Sequence, residues 1–224
     1  MQRSWIYLSG DWYYLRPSAS DGHPDGSMVI GAAYILSKDS STVYRNYFFA
    51  SDGVLQEWYY PFDTTQTYNF RLSRNIRYDS NHNYNAHQGA DFTSTDGEPI
   101  KNIVAGNVIY SSFYDSTGNS VILSTSPSEL SPTLYVRYFH MKSTSLVTKG
   151  SQISRGTTIG YVGTTGTSST GVHLHLDVSE TVTGSAYGPS TLEVEDCLNP
   201  LAFFTFPADS YTITNGIIFG SDMN

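Results

Sequence analysis

Short runs in which apolar and polar residues alternate dominate this chain of 224 residues. Four clear runs span residues 102–110, 120–123, 134–139 and 173–178, and Gly, Ser, Thr, Asn or Pro bounds each of them. Alternation at period two is typical of a half-buried β-strand, whereas no segment shows a convincing amphipathic helix. The pattern predicts an all-β fold.

The composition indicates a folded protein and narrows its partners. Charged residues make up 14% of the chain and hydrophobic residues 39%, with 18 Tyr, 11 Phe and 3 Trp. This hydrophobic content excludes disorder, which needs low hydrophobicity together with high net charge. The net charge of −8 comes without a basic cluster that could follow a phosphate backbone, so we expect no nucleic-acid partner.

The sequence also constrains membrane spans, export signals and cysteine chemistry. No stretch approaches the roughly 18 apolar residues of a membrane span, so none is predicted. Residues 1–14 lack the basic start and apolar run of a signal peptide, and we expect any export signal to lie outside this chain. The single cysteine, Cys197, excludes an intramolecular disulfide and a multi-cysteine metal site.

The first part of the chain carries a weak internal repeat of an aromatic strand followed by a glycine turn. Residues 10–15 lead to a turn at 25–28, and residues 46–50 lead to a turn at 51–55. Each unit predicts a hairpin too small to bury its own rings, so it must stack on a neighbour. The predicted organisation is a β-hairpin region over residues 1–60 and a second, larger domain over 61–224.

This hairpin region resembles the choline-binding and glucan-binding cell-wall repeats of Gram-positive surface proteins and their phages. The resemblance implies aromatic cages for choline or a glycan, because rings attract a quaternary ammonium by cation–π interaction and stack on sugar faces. The insertion at 16–24 and the irregular spacing depart from the regular period of those repeats. The alternative is that the hairpins only pack onto the second domain.

Four of the six histidines lie in three short segments, which suggests a shared site. Residues two apart in a strand project from one face, so His173 and His175 point into the same space. Neutral imidazole is a common metal ligand, and a catalytic zinc takes three N or O ligands with an open fourth position. His87 and Asp91 lie four apart around Gly89, where a turn could bring both onto one metal.

These segments, in this order, resemble the lysostaphin-type or LytM-type zinc endopeptidases of peptidase family M23. The resemblance covers roughly residues 70–206. It is carried by His87-Gln88-Gly89-Ala90-Asp91, by Arg137-Tyr138-Phe139-His140-Met141, by the glycine-rich run 156–166, by Gly171-Val172-His173-Leu174-His175-Leu176-Asp177 and by Asn199-Pro200. It implies an antiparallel β-sheet catalytic domain with a groove over the metal site.

The resemblance also implies roles for individual residues. His87, Asp91 and His175 are expected to bind Zn²⁺, and His140 and His173 to form an unligated catalytic pair. The implied nucleophile is a zinc-activated water, with one histidine as base and the other stabilising the tetrahedral oxyanion. Which histidine is the base stays open. No H-E-x-x-H motif, which would supply a glutamate base instead, occurs in the chain.

Other residues near these motifs also have expected roles. The family tends to use a tyrosine before the first motif as a donor to the oxyanion; we choose Tyr78, with Tyr84 as the other candidate. Asp177 and Met141 stand where the family frequently has Glu and Leu. Asp177 shares the strand face of the histidines, so it either accepts a hydrogen bond from an imidazole or is an exposed strand carboxylate.

The resemblance implies a zinc metalloendopeptidase, a hydrolase that cleaves cross-bridge or stem-peptide bonds in bacterial peptidoglycan. Such an enzyme is expected to be extracellular or cell-wall associated, and a phage virion-associated lysin is left open. The alternative is a catalytically inactive cell-wall-binding or structural module. Competing enzyme classes lack their motifs: no G-x-S-x-G elbow occurs, and Gly160, Gly163 and Gly166 precede a strand pattern rather than the helix of a dinucleotide site.

Overall fold

The computed structural model describes residues 4–17, 24, 26–36, 44–56, 60–62, 72–74, 87–125, 133–143, 146–181, 197–198, 200 and 203. These residues form fourteen β-strands and no α-helix, so the all-β prediction is confirmed. In the same part of the chain, no helix could span a membrane. The strands are β1 (Ser4–Leu8), β2 (Asp11–Leu15), β3 (Gly31–Leu36), β4 (Tyr44–Phe49), β5 (Leu72–Arg74), β6 (Ala90–Thr93), β7 (Pro99–Lys101), β8 (Gly106–Tyr114), β9 (Gly118–Thr125), β10 (Tyr135–Met141), β11 (Gln152–Ile153), β12 (Thr158–Tyr161), β13 (His173–Ser179) and β14 (Cys197–Leu198).

The chain divides into two compact units. The described residues of the first unit lie within Met1–Glu57 and Leu201–Phe203, and those of the second within Trp58–Pro200. The domain boundary between residues 60 and 61 stays a prediction.

Two antiparallel hairpins form the first unit, β1 with β2 and β3 with β4. Trp5 is central to its packing: the Trp5 ring centroid lies 6.2 Å from that of Trp12, 5.2 Å from Tyr14, 4.8 Å from Tyr47 and 5.7 Å from Phe49. Edge-to-face and tilted ring pairs at such distances stabilise a fold beyond the area they bury. The N-terminal region therefore contains hairpins, while its binding of choline or a glycan stays a prediction.

Most of the second unit is one antiparallel sheet of eight strands. Seven of them follow the order β11-β8-β9-β10-β13-β6-β5, and β14 also pairs with β13. Strands β7 and β12 form a separate two-stranded sheet. The four alternating runs of the sequence correspond to β8, β9, β10 and β13, which are neighbours in the large sheet. The first run differs most, because β8 begins at Gly106 and not at residue 102.

The buried side chain of Asn102 explains the late start of β8. Its amide nitrogen donates to the carbonyl oxygen of Val104, and its amide oxygen accepts a hydrogen bond from the Tyr138 hydroxyl at 3.0 Å. The same hydroxyl accepts the backbone N–H of Ile103 at 2.9 Å. Burial raises the pKa of Tyr138 far above its usual range, which keeps this phenol protonated. Asn102 thus organises a turn where alternation alone predicted a strand.

The alternation in β13 separates the hydrophobic core from the site. Residues at even positions are fully buried apolar side chains, whereas those at odd positions are polar. The even set is Leu174, Leu176 and Val178, and the odd set is His173, His175, Asp177 and Ser179. The two faces are those predicted from the sequence.

Candidate metal centre

Three neighbouring strands, β6, β13 and β10, bring the candidate site together. Strand β13 lies between the other two, and both pairings are antiparallel. His175 lies opposite Asp91 of β6 and opposite Phe139 of β10. Directly opposed residues of an antiparallel pair share a face of the sheet. The register therefore places the His175 imidazole and the Asp91 carboxylate side by side.

One carboxylate oxygen, Oδ1 of Asp91, lies at the centre of a histidine cluster. It is 2.8 Å from Nδ1 of His175, 3.1 Å from Nε2 of His87 and 3.7 Å from Nε2 of His173. One potential ligand atom from each of His87, Asp91 and His175 lies within 4.8 Å of the other two. The structure thus brings together the three residues that were predicted as metal ligands.

The turn between His87 and Asp91 depends on Gly89. A Cβ atom at this position would lie 2.3 Å from the carbonyl oxygen of Leu176 and 2.6 Å from Cβ of Asp177. Neither distance is compatible with van der Waals contact, so a larger residue would push the turn away from β13. Glycine lets the turn approach the sheet closely enough for His87 to reach Asp91.

Burial and hydrogen bonding shift the pKa values of this cluster in opposite directions. Burial raises the pKa of Asp91, but hydrogen bonds from His175 and His87, together with electrostatic attraction, outweigh it and hold the pKa well below its usual range. Burial lowers the pKa of His175, but hydrogen bonds to Asp177 and Asp91 outweigh it and raise the pKa to about 9. Asp91 is therefore ionised at neutral pH, and a metal ion would have to displace a proton from His175.

A buried ion pair lies behind His175. Oδ2 of Asp177 is 3.3 Å from Nε2 of His175, and the other carboxylate oxygen accepts a hydrogen bond from Nε of Arg137. The side chains of Arg137 and Asp177 are 3% and 0% exposed. Phe139 stacks on the His175 ring, with centroids 5.3 Å apart and an interplanar angle of 4°. The alternative of an exposed Asp177 carboxylate is therefore wrong, because both of its oxygens have buried partners.

The two remaining histidines, His140 and His173, lie beside the cluster. Their ring centroids are 4.8 Å apart, and the His140 ring is 6.2 Å from that of His175. Nδ1 of His173 lies 2.8 Å from the carbonyl oxygen of Gly171, and Nδ1 of His140 lies 2.9 Å from that of Thr165. A carbonyl oxygen can only accept, so Nδ1 carries the proton in each ring and Nε2 is the nitrogen that can accept another.

His140 occupies a β-bulge. Tyr138 of β10 pairs with Val121 of β9, but the next pair is Met141 with Asn119, so β10 contains one extra residue at this point. His140 has a φ of 64°, in the left-handed region that most residues avoid.

The bulge determines on which face of the sheet the His140 ring lies. In an unbroken strand His140 would share the core face of Tyr138, since alternate residues point the same way. Instead, its ring packs against His173 on the face that carries the cluster. Burial lowers the pKa of His140 to about 4, so the ring is neutral at neutral pH.

The structure brings five of the predicted site residues into one place: His87, Asp91, His140, His173 and His175. Tyr78 and Tyr84 lie outside the described residues, so a role for either stays a prediction. Sequence reasoning missed Arg137. A signal for it existed, because a lone charged residue within an apolar strand needs a buried partner.

The donor set of His87, Asp91 and His175 fits a zinc ion. Two imidazole nitrogens and one carboxylate oxygen form a typical set of three protein ligands for catalytic zinc, which leaves one position for water or substrate. Nε2 of His175 lies beside the Asp177 carboxylate, a partner that is common for the ring nitrogen of a ligating histidine that does not bind the metal.

The comparisons with known proteins cover mainly the part of the chain that carries the candidate metal centre. Residues 85–189 match the profile of Peptidase family M23. Peptidoglycan DD-endopeptidase ShyA of Vibrio cholerae is 36% identical over 92 residues, which are 41% of this chain and 20% of ShyA. Peptidoglycan DD-endopeptidase ShyC of the same organism is 35% identical over 109 residues, which are 49% of this chain and 23% of ShyC. The chain thus spans about a fifth of the length of these curated relatives.

A solved structure gives a similar match. The catalytic domain of the antimicrobial peptidase lysostaphin from Staphylococcus simulans aligns with a TM-score of 0.48 and 24% sequence identity, covering 60% of this chain and 92% of that domain.

Proposed function

We propose that the chain is a zinc-dependent endopeptidase that hydrolyses peptide bonds of bacterial peptidoglycan, because residues 85–189 match the profile of Peptidase family M23. One observation carries the proposal: potential ligand atoms of His87, Asp91 and His175 lie within 4.8 Å of one another, with His140 and His173 beside them. One face of the sheet therefore holds both a candidate metal site and two groups able to transfer protons.

In this proposal His87, Asp91 and His175 hold the zinc ion. Zinc, when bound, supplies Lewis acidity toward a water molecule and toward a substrate carbonyl. Nδ1 of His175 faces Asp91 and is the nitrogen that would bind zinc, since Nε2 faces Asp177.

Asp177 orients His175. A carboxylate that accepts a hydrogen bond from the far nitrogen of a ligating imidazole fixes the ring and raises its basicity. Arg137 binds the second oxygen of Asp177, so this buried carboxylate is not an isolated charge. The Phe139 ring stacks on His175 and restricts its rotation.

His140 and His173 carry out proton transfer. Each holds a proton at Nδ1 on a backbone carbonyl oxygen, so each can accept a second proton at Nε2 and later return it to the leaving amine. The ring that is not acting as base stabilises the oxyanion from the same face once it is protonated at Nε2, because only an N–H can donate a hydrogen bond to the oxyanion. Both rings have the same tautomer, so the assignment of the base between them is left to kinetics.

We infer peptidoglycan as the substrate class of this chain from its similarity to ShyA and ShyC, which are named as peptidoglycan DD-endopeptidases. The site of action would then be the cell wall, outside the cytoplasm, for a secreted enzyme or a phage virion-associated lysin. A net charge of −8 gives no electrostatic attraction to an anionic wall, so recognition must come from specific contacts. The aromatic hairpins, with choline or a glycan as ligand, are candidates for such contacts.

Digestion of cross-linked muropeptides tests the proposal. The zinc-loaded protein, incubated with muropeptides from several wall types, should release new amines, and mass spectrometry of the products identifies the bond. Chelator-treated protein and the Asp91→Asn variant should release none. Binding without cleavage across the whole panel, by protein shown to hold zinc, would instead indicate a non-catalytic wall-binding module.

A further inference from the structure

Thr165, in the loop that precedes β13, contacts the β-bulge of His140. The Thr165 hydroxyl donates to the carbonyl oxygen of Met141 at 2.6 Å and accepts the backbone N–H of Asn119 at 2.9 Å. Met141 and Asn119 are the first pair of the β9–β10 ladder after the bulge. One hydroxyl therefore bridges the two strands where the extra residue interrupts their pairing.

The backbone carbonyl of Thr165 contacts His140 directly. It accepts the Nδ1–H of the imidazole at 2.9 Å, while the backbone N–H of His140 donates to the carbonyl oxygen of Thr117 at 2.9 Å. The ring and the backbone of His140 are thus both held by residues outside β10. A non-glycine residue in the left-handed region persists only where its surroundings fix it in this way.

Thr165 is itself fixed by the turn between β8 and β9. The backbone N–H of Thr167 donates to the carbonyl oxygen of Asp115 at 2.8 Å, which ties the loop to this turn. Gly118 has a φ of 69°, and a Cβ atom there would lie 2.2 Å from Oγ1 of Thr165. The close approach leaves the threonine hydroxyl little room to move away from the bulge.

We propose that Thr165 is a positioning residue for His140: its hydroxyl holds the bulge, and its carbonyl fixes the Nδ1–H tautomer that leaves Nε2 to accept a proton. The catalytic consequence rests on the proposed function, whereas the tautomer and the bulge do not. The described hydrogen bonds of Thr165 go to Asn119, Met141 and His140, none of which is a candidate metal ligand.

Two substitutions at position 165 separate the hydroxyl from the shape of the side chain. Thr165→Val removes both hydroxyl hydrogen bonds and keeps the volume, and we expect kcat to fall about 10- to 100-fold with KM within about twofold, part of the effect of losing a positioned base. Thr165→Ser keeps the hydroxyl and should stay within about threefold of wild type. Zinc content should not change in either variant.

Thr164→Val is the matched control. Thr164 is the exposed neighbour in the same loop, and its hydroxyl pairs with that of Ser169 at 3.0 Å. This variant should keep wild-type kcat and KM. Circular dichroism establishes whether each variant folds. If Thr165→Val does not fold, Thr165→Ala replaces it, because alanine removes the same hydrogen bonds without placing a second methyl group against Gly118.

Long-range proton–nitrogen NMR spectra of the metal-free protein provide a readout that needs no reaction. We expect the His140 imidazole to show protonation at Nδ1 in wild type and Thr165→Ser, and an averaged or reversed tautomer in Thr165→Val. Wild-type kcat together with an unchanged His140 tautomer in Thr165→Val would overturn the inference, as would equal losses in the Val and Ser variants. If wild-type protein cleaves no wall peptide, the proposed function fails, and the tautomer comparison alone decides whether Thr165 positions His140.

Discussion

The hairpin unit and the sheet that carries the site fill their interiors in different ways. The core cluster of the hairpins consists of apolar and aromatic side chains, with Trp5 and Trp12 packed against Tyr14, Tyr47 and Phe49. Behind the site, by contrast, a charged pair and an imidazole are buried together and hydrogen-bonded in fixed directions. Ring contacts tolerate small shifts, whereas a buried polar network fails when one member is lost. Substitutions should therefore have graded effects in the hairpins and abrupt effects around His175.

The largest effect is expected from His175→Ala. This change removes one of three candidate ligands, so the purified protein should lose stoichiometric zinc and all measurable peptidase activity. Metal analysis after dialysis measures the first, and digestion of muropeptides the second. His173→Ala, on the same strand face, is the control and should keep zinc. Full zinc content in His175→Ala would refute the ligand assignment.

His140→Ala and His173→Ala should each keep zinc and lose catalysis by about 10²- to 10⁴-fold, the range for a positioned acid or base. Steady-state kinetics on an identified muropeptide measures the loss, and circular dichroism checks that the sheet remains folded. Near-wild-type turnover in His140→Ala would exclude the two-histidine mechanism. Tyr78 would then have to take the part of His140, because Asp177 is buried with both oxygens bonded to His175 and Arg137.

Arg137→Met tests whether burial makes the charged pair essential. The variant leaves Asp177 buried beside His175 without the Arg137 guanidinium, so the free energy of unfolding should fall by about 3–5 kcal/mol. Urea denaturation of the metal-free protein measures it. Lys142→Met is the matched control, because Lys142 and Asp96 also form an ion pair, at 2.6 Å, with side chains 51% and 50% exposed.

For this exposed pair we expect a loss of roughly 0–1 kcal/mol, because solvent screens the two charges. Equal losses in Arg137→Met and Lys142→Met would mean that burial does not distinguish the two ion pairs.

A small, graded effect is expected from Tyr7→Ser in the hairpins. Tyr7 is 60% exposed, and its ring centroid lies 4.9 Å from that of Trp12, so one ring pair worth about 0.5–1.5 kcal/mol is lost. Urea denaturation followed by tryptophan fluorescence measures the change in the free energy of unfolding. Leu8→Ser is the control, because Leu8 is 61% exposed and has no ring to lose. Zinc content and cleavage of soluble muropeptides should stay unchanged, and loss of cleavage would contradict the placement of the whole active site in the second unit.

The parts of the fold and site that depend on local spacing were predictable. Period two in β13 put Leu174 in the core and His175 on the opposite face, and the structure confirms both. The spacing of His87 and Asp91 around Gly89 likewise indicated a turn that brings both side chains to one point. In each case the deciding interaction lies within a few residues of the pattern.

The parts that depend on distant residues were not predictable. Alternation alone would place His140 in the core, and the bulge that turns it around is bound by Thr165, 25 residues later in the chain. The pairing of Arg137 with Asp177 joins residues 40 apart and requires the register of β10 on β13. Local alternation does not specify which strands pair or where a bulge interrupts the pairing, because both depend on the packing of separate segments.

The extra residue in β10 has a consequence for insertions and deletions. Removing one residue between Tyr138 and Met141 would restore continuous pairing with β9, yet it would either delete the imidazole or move it to the place where Phe139 now stacks on His175. In neither case could an imidazole from β10 lie against His173 as it does now. This strand therefore cannot shorten by one residue and keep its site, so its length is as much under functional constraint as the identity of its histidine.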